Sequence, residues 1–260
     1  MATMLLLCAI WGLQQVAIKA AAVDMSPVLQ ISLRSGISAA LIGLLMLCNR
    51  VRFWVRDGTW RPGLLAGSLF AFEFLFIAEG LRFTTALHMA VFLYTSPIFT
   101  ALGLHFFLPD ERLRLHKWLG IGVAFSGFVT VFWGGALSPV TTPDMLQGAA
   151  LAILAGAAWG LTTVTVRASS LSEAPPTKTL QYQLTMAFLL LPTAWLSGQT
   201  ATAVFSPIVW VSLLFQGIVV SFASYLVWFS LLPSYLASRL VVFSFMTPPL
   251  RGCFRGALAA

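Results

Sequence analysis

Residues 86–113 constrain the fold of this chain most, because they are too apolar for a helix on the surface of a soluble domain. This stretch carries Pro97 near its middle and ends at a charged corner, residues 109–113. Residues 237–248 match its first part at an offset of 151, with alanine, valine, phenylalanine and proline in register. A repeat of this kind indicates that the chain was built by doubling one structural unit.

The rest of the chain is nearly as apolar. Of its 260 residues, 59% are hydrophobic and 9% are charged, and its mean hydropathy is +0.91. A soluble domain carries about 25% charged residues, so lipid must solvate most of this surface. A helix needs roughly 20 apolar residues to cross a bilayer, which allows about eight or nine spans here and leaves no room for a separate soluble domain.

The apolar runs predict an all-α membrane protein whose helices are joined by short connections. The first eight predicted spans cover residues 2–22, 27–48, 62–81, 84–108, 117–134, 146–166, 179–196 and 207–232, and a ninth begins near Ala237. In the sixth span, small residues recur every four positions at Gly148, Ala152, Gly156 and Gly160. Such a stripe predicts close helix packing.

Basic residues are distributed unevenly among the connections, and their distribution predicts the orientation in the membrane. With the N-terminus in the cytoplasm, the connections on the cytoplasmic side hold Arg50, Arg52, Arg56, Arg61, Arg112, Arg114, Lys117, Arg167 and Lys178, and those on the opposite side hold Lys19 and Arg82. The positive-inside rule favours this orientation. It also explains the net charge of +7 better than nucleic-acid binding does, because the basic residues form no common face.

A second set of matches extends the repeat to the first span. Trp11, Gly12 and Lys19 correspond to Trp159, Gly160 and Arg167 at an offset of 148, and Pro27 corresponds to Pro175. A unit of five spans is odd in number, so its second copy must enter the membrane from the opposite side. We expect one unit over residues 1–135 and the other over 146–260, with a substrate site near the midplane between them.

Together these motifs resemble the EamA-type transporters of the drug/metabolite transporter superfamily. The resemblance rests on Trp11-Gly12 with Lys19, Pro27, Arg34, Pro97, Glu111-Arg112-Leu113, and the Trp159-Gly160 copy with Arg167. It implies ten helices in two inverted five-helix repeats. It further implies movement of small metabolites, such as amino acids or drugs, across the cytoplasmic membrane of a bacterium, without a cofactor. It does not identify the substrate, the coupling ion or the direction.

The second unit departs from this pattern after Pro248. At an offset of 151 it has no Glu-Arg-Leu corner and no tenth span, so we expect an incomplete repeat. Arg251 and Arg255 fall opposite apolar positions of the fourth span, where an arginine costs about 2.5–3.5 kcal/mol. A disturbed reading frame after Pro248 would explain both features, and a genuine short family member is the alternative. A truncated chain that does not transport is a competing hypothesis for the function.

Ionisable residues within the spans are candidates for binding substrate or protons, because such residues are costly in lipid and often functional. They are Arg34, Glu73, Glu79 and His88. From the helical rise, Arg34 could reach either glutamate. A structural ion pair is the favoured interpretation of Arg34, and substrate contact and snorkelling to the membrane interface are the alternatives. Glu73 lies near mid-bilayer and could carry a proton, or it could be a hydrogen-bonded packing residue. His88 aligns with Arg239, so both repeats place a polar group at that position.

Two aromatic residues and two prolines complete the candidates. Trp11 and Trp159 could stack on a substrate, although core packing is the interpretation that the sequence favours. Pro97 and Pro248 would each remove a backbone hydrogen bond and could act as gating points.

Catalysis is the alternative class of function, and the motifs argue against it. The chain contains no His-Glu-x-x-His, Gly-x-Ser-x-Gly, P-loop or metal-ligand cluster. We therefore expect no catalytic residues and no metal. The expected partners are the lipid bilayer and a small-molecule substrate, with no nucleic acid, and a homodimer is a further expectation.

Overall fold

The computed structural model describes residues 2–51, 57–93, 95–108, 118–123, 126 and 143–231. All regular secondary structure in these residues is helical. The predicted all-α fold is therefore confirmed. Pro248, the ninth span, the charged corner, most of the fifth span and the tail with Arg251 and Arg255 lie outside the described residues.

The first half of the chain contributes five described helices. They are α1 (Ala2–Ala21), α2 (Pro27–Cys48), α3 (Trp60–Gly80), α4 (Ala86–Leu93) and α5 (Ser96–Phe107). Ser26 caps α2 because its hydroxyl accepts a hydrogen bond from the backbone N–H of Leu29, and Pro27 occupies the first turn. A proline suits this position because its missing N–H would have no partner within the helix.

The second half follows the same pattern with more interruptions. Its helices are α6 (Pro143–Arg167), α7 (Pro176–Phe188), α8 (Leu191–Leu196), α9 (Pro207–Leu214) and α10 (Tyr225–Leu231), with a short 3₁₀ turn at Ser170–Ser172. A π-helical segment, Phe215–Ser224, joins α9 to α10. The hydroxyl of Ser206 caps α9, as that of Ser26 caps α2.

Three of the predicted spans are built differently from the prediction. The fourth is divided between α4 and α5, with Pro97 in the first turn of α5. The seventh begins at Pro176 rather than Thr179, because the proline starts the helix and the polar residues after it pack inward. The eighth contains the π-helical segment, which apolar periodicity does not reveal.

Helix boundaries repeat at the predicted offset. Moving α1, α2 and α3 forward by 148 residues gives 150–169, 175–196 and 208–228. The observed helical stretches are 143–167, 176–188 with 191–196, and 207–231. Three consecutive helical stretches therefore recur in order and with similar boundaries.

The packing of the helices is also symmetric between the two halves. Helix α3 corresponds to α9 with the π-helical segment, and α6 corresponds to α1. Helix α3 packs on α6, and in the same way α9 and the π-helical segment pack on α1. Helix α3 also packs on α7, as the π-helical segment packs on α2. Helices α2 and α7 are counterparts and pack on each other, so the contact between them lies at the centre of this symmetry. Each half is thus held mainly by the helices of the other.

The glycine stripe of α6 receives the broken helix α4–α5. A Cβ at Gly156 would lie 2.8 Å from the carbonyl oxygen of Leu93, and one at Gly160 would lie 2.9 Å from that of Ser96. The backbone around the break therefore lies directly on α6, in the close packing that the stripe predicts.

Four helices of the described residues are long and apolar enough to cross a membrane: Pro27–Cys48, Trp60–Gly80, Pro143–Arg167 and Pro207–Leu231. Many large apolar side chains point outward from them, including Leu47, Phe72, Leu154 and Val211. Such faces suit lipid, whose tails are as apolar as these side chains. The protein is therefore a multi-pass membrane protein.

Candidate functional site

A polar cluster lies inside the bundle, where four helices from both halves meet. It consists of Gln14 from α1, Arg34 from α2, Glu73 from α3 and Tyr225 from α10. Gln14, Arg34 and Glu73 are buried, and Tyr225 is partly buried. The Tyr225 hydroxyl lies close enough to the other three side chains to interact with them electrostatically. We call these four residues the central cluster.

Arg34 is the cluster's most unusual member. Its side chain is 0% exposed, and none of its three guanidinium nitrogens has a hydrogen-bond partner among the described residues. The Arg34 Cζ lies 4.5 Å from the centroid of the Phe74 ring. A cation–π contact of this kind compensates part of the lost hydration. Tyr225 is close enough to interact with the guanidinium group, yet the N–H donors of Arg34 are not satisfied by hydrogen bonds of good geometry.

Aromatic rings surround the central cluster. Phe70 contacts Phe74 and Tyr225, with ring centroids 4.9 and 5.9 Å apart. Trp11 packs edge-on against Trp228 at 5.6 Å, and its indole N–H donates to the hydroxyl of Ser224 at 3.0 Å. These rings hold the polar side chains in a setting of low dielectric, where electrostatic interactions are strong.

The predicted site residues separate into two groups. Trp11, Arg34 and Glu73 lie in or beside the central cluster, whereas Glu79 does not pair with Arg34. Its carboxylate instead forms a salt bridge at 2.8 Å with Arg82, near the end of α3. No salt bridge joins Arg34 to Glu73 either, so the structure shows neither of the two ion pairs that the helical rise allowed.

The remaining predicted residues lie on other elements. His88 is buried early in α4, where its Nδ1 and the hydroxyl of Thr85 are 2.8 Å apart in a hydrogen bond, and its ring stacks on Phe92. Trp159 is partly buried and packs against the larger of the core clusters. Pro97 lies in α5, directly after the break. Within the described residues, no three His, Cys, Asp or Glu side chains gather as a metal site would require.

Two members of the central cluster were not among the predicted site residues. Gln14 and Tyr225 carry no formal charge at neutral pH, so they do not stand out in the sequence as charged residues within apolar spans do. A signal was nevertheless present, because a glutamine within an apolar span must find a polar partner or remain unsatisfied. The Gln14 side-chain nitrogen makes no hydrogen bond of good geometry within the described residues, and Tyr225 is the polar side chain with which it interacts.

At one end of the bundle, the two halves are joined by an ion pair. Lys178 of α7 is 1% exposed, and its Nζ donates to Oδ2 of Asp57 at 2.5 Å. Thr59 donates to the other carboxylate oxygen, and the hydroxyl of Ser170 donates to the carbonyl of Gly58 at 3.2 Å. The hydrogen bond from Lys178, assisted by those from Thr59, holds the pKa of Asp57 below its usual range. We call this set of contacts the Asp57 tie.

At the other end, a corresponding contact joins the halves. The hydroxyl of Ser206 donates to Oδ2 of Asp24 at 2.5 Å, and the backbone N–H of Val204 donates to the Asp24 carbonyl at 2.8 Å. Ser206 lies 148 residues after Gly58, so each contact joins the loop before the third helix of one half to the start of the second helix of the other, or to the loop before it. We call it the Asp24 tie. The central cluster thus lies between two equivalent ties.

The sequence and the fold are similar to those of known proteins. The EamA-like transporter family matches residues 1–133 and 146–255. The uncharacterized transporter YoaV of Bacillus subtilis is 24% identical over 251 residues, which cover 96% of this chain and 84% of that protein. An uncharacterized transporter of Archaeoglobus fulgidus is 27% identical over 186 residues, covering 72% of this chain and 62% of the relative.

A solved crystal structure has the same fold. It superimposes with a TM-score of 0.74 at 21% sequence identity, over 99% of this chain and 86% of the other. The family match extends over most of the sequence and falls in two parts, one in each half. The chain therefore belongs to the EamA-like transporter family.

Proposed function

We propose that this protein is a secondary transporter that exports small metabolites across the cytoplasmic membrane by alternating access. The observation that carries the proposal is the position of the central cluster. It is enclosed by α1, α2, α3 and α10 and lies between two ties that join the halves. Substrate sites of transporters with inverted repeats lie at such an interface. Family membership favours transport over catalysis.

The two ties suggest how access could alternate. Both are formed in the structure, which corresponds to a state closed at each end. Rocking one half against the other would break one tie while the other holds, and would open the central cluster to one side. Because the ties are short polar contacts rather than extensive apolar packing, breaking either one leaves its side chains free to be hydrated.

We assign the end with the Asp57 tie to the cytoplasm. Arg50, Arg61 and Arg167 flank the loops at this end, whereas Lys19 and Arg82 are near the loops of the other end. The positive-inside rule then places the N-terminus in the cytoplasm as well.

Transport by the purified protein tests this proposal. The full chain would be reconstituted in liposomes loaded with a metabolite extract, and the retained compounds would be identified by mass spectrometry over time. We expect a few small metabolites to be lost selectively, in comparison with protein-free liposomes loaded with the same extract. Equal retention in both preparations, with correct folding verified in detergent, would show that the chain does not transport these metabolites.

A further inference from the structure

The guanidinium group of Arg34 has an unused binding capacity. It is completely buried and carries five N–H donors, and apart from its interaction with the Tyr225 hydroxyl no hydrogen bond of good geometry satisfies them. Leaving a buried charge unpaired is strongly destabilising, and the chain accepts this cost at the place where the two halves meet. A buried cation with free donors is therefore suited to a ligand that is negatively charged.

The geometry around Arg34 restricts the shape of that ligand. Phe74 covers one face of the planar guanidinium group, at 4.5 Å from Cζ. A stacked face leaves the edge, with its paired N–H donors, for in-plane contacts. A carboxylate matches this edge because its two oxygens can accept two parallel hydrogen bonds.

The neighbouring charges restrict the ligand further. Glu73 is buried in the same cluster and acts electrostatically on Tyr225, as Arg34 does. A ligand with two or more negative charges, such as a phosphate ester, would find only one cation in the cluster, together with a carboxyl group, so the cluster does not suit it. A single carboxylate would pair with the cation and leave the amide of Gln14 and the hydroxyl of Tyr225 as further donors.

We propose that Arg34 binds the carboxylate of the transported substrate, so that the substrate class is small organic acids and other molecules with one free carboxylate. This inference rests on the proposed transport function, because it assigns the central cluster as the substrate site. Among the predicted site residues, the proposal assigns direct contact with the substrate carboxylate to Arg34.

Matched pairs of carboxylates and amides test the proposal without relying on any variant. The probes would be acetate, lactate, benzoate and 3-phenylpropionate, each beside its amide, added to the purified full chain in detergent. Thermal stabilisation and isothermal calorimetry would report binding. We expect at least one carboxylate to bind and its amide, which has nearly the same shape without the charge, to bind at least tenfold more weakly. Equal binding within every pair, or binding of none of the eight probes, would overturn the proposal.

Variants then assign the contact to Arg34. Arg34→Gln should weaken carboxylate binding about tenfold to a hundredfold, as expected for the loss of hydrogen bonds to a charged group. Arg34→Lys keeps the positive charge but lacks the paired donors of arginine. Its affinity for the carboxylate should therefore lie between that of the unaltered chain and that of Arg34→Gln. The control is Arg61→Gln, which makes the same change at an exposed arginine stacked on Trp60, and should bind as the unaltered chain does. Unchanged binding in folded Arg34→Lys and Arg34→Gln would overturn the proposal.

The liposome experiment separates this inference from the proposed function. If the chain exports only compounds that lack a carboxylate, the function stands and the inference about Arg34 fails. If carboxylates bind in the Arg34-dependent way while no metabolite crosses the bilayer, Arg34 is a carboxylate site and the transport function fails.

Discussion

Glu73 and Arg34 are ionisable side chains buried in one cluster, yet the structure joins them by no salt bridge. A carboxyl group in this position can exchange a proton when the cluster opens to either side. We propose Glu73 as the residue through which a proton gradient would be coupled to movement of the substrate.

Glu73→Gln should abolish metabolite flux driven by a proton gradient, because glutamine cannot bind and release a proton. Exchange of substrate across liposomes without a gradient should continue, since the amide fills the same volume. The control is Glu79→Gln, which alters a glutamate paired with Arg82 outside the cluster. Both fluxes would be measured in liposomes at fixed internal pH, and gradient-driven flux that is unchanged in Glu73→Gln would contradict proton coupling through this residue.

The sequence places the important residues on the correct helices more reliably than it pairs them. Arg34 and Glu73 stand out because charge in an apolar span is rare, and the structure indeed places both in the central cluster. The helical rise also allowed Arg34 to meet Glu79, but it gives only depth in the membrane and not the face of the helix. The distribution of basic residues groups Lys178 with the cations of the loops, whereas the fold buries it against Asp57, a partner 121 residues away.

Among the elements, the contact between α6 and the broken helix α4–α5 depends on glycine. The stripe at Gly148, Gly156 and Gly160 was visible in the sequence because spacing by four residues places small side chains on one helix face. The break itself was not placed, because a proline signals that a backbone hydrogen bond is lost but not where the helix ends. It falls between Leu93 and Ser96, against the stripe.

Gly156→Ala should destabilise the protein by about 1–3 kcal/mol, the usual cost of overpacking. The added Cβ would lie 2.8 Å from the Leu93 carbonyl oxygen and 2.7 Å from Oγ1 of Thr95, so the helices would have to separate. The melting temperature in detergent measures the effect.

Gly43→Ala is the matched control for this change. It also replaces a glycine inside a helix, but the nearest atom to the new Cβ is Gln181 Oε1 at 3.9 Å. It should leave the stability unchanged or raise it by up to about 1 kcal/mol, through helix propensity. Equal melting temperatures for the two variants would contradict the close contact of α6 with the break.

Across the whole molecule, the Asp57 tie makes stability depend on pH. The pKa of Asp57 is lower in the folded state than in the unfolded chain, so its contribution is present above the unfolded value of about 3.9 and is lost as the pH falls below it. The melting temperature should therefore fall between pH 5 and pH 3, and Asp57→Asn should reduce this dependence. Glu173→Gln, an exposed change at the same end, serves as the control. A pH dependence that is the same in both variants would contradict this role of the tie.

The central claim is that the two ties open in turn and expose the central cluster to opposite sides. A variant with Cys8, Cys48 and Cys253 replaced by alanine would receive a reporter cysteine through Gln14→Cys. In one form, Gly58→Cys and Ser170→Cys would be cross-linked to lock the Asp57 tie. In the other, Asp24→Cys and Ser206→Cys would lock the Asp24 tie.

The measurement is the rate at which a membrane-impermeant thiol reagent labels position 14 in vesicles of known orientation. With the Asp57 tie locked, labelling should proceed from the side of the Asp24 tie and be blocked from the other, and locking the Asp24 tie should reverse the sides. Labelling from the same side in both locked forms, or from neither side in either form, would contradict alternating access at this site.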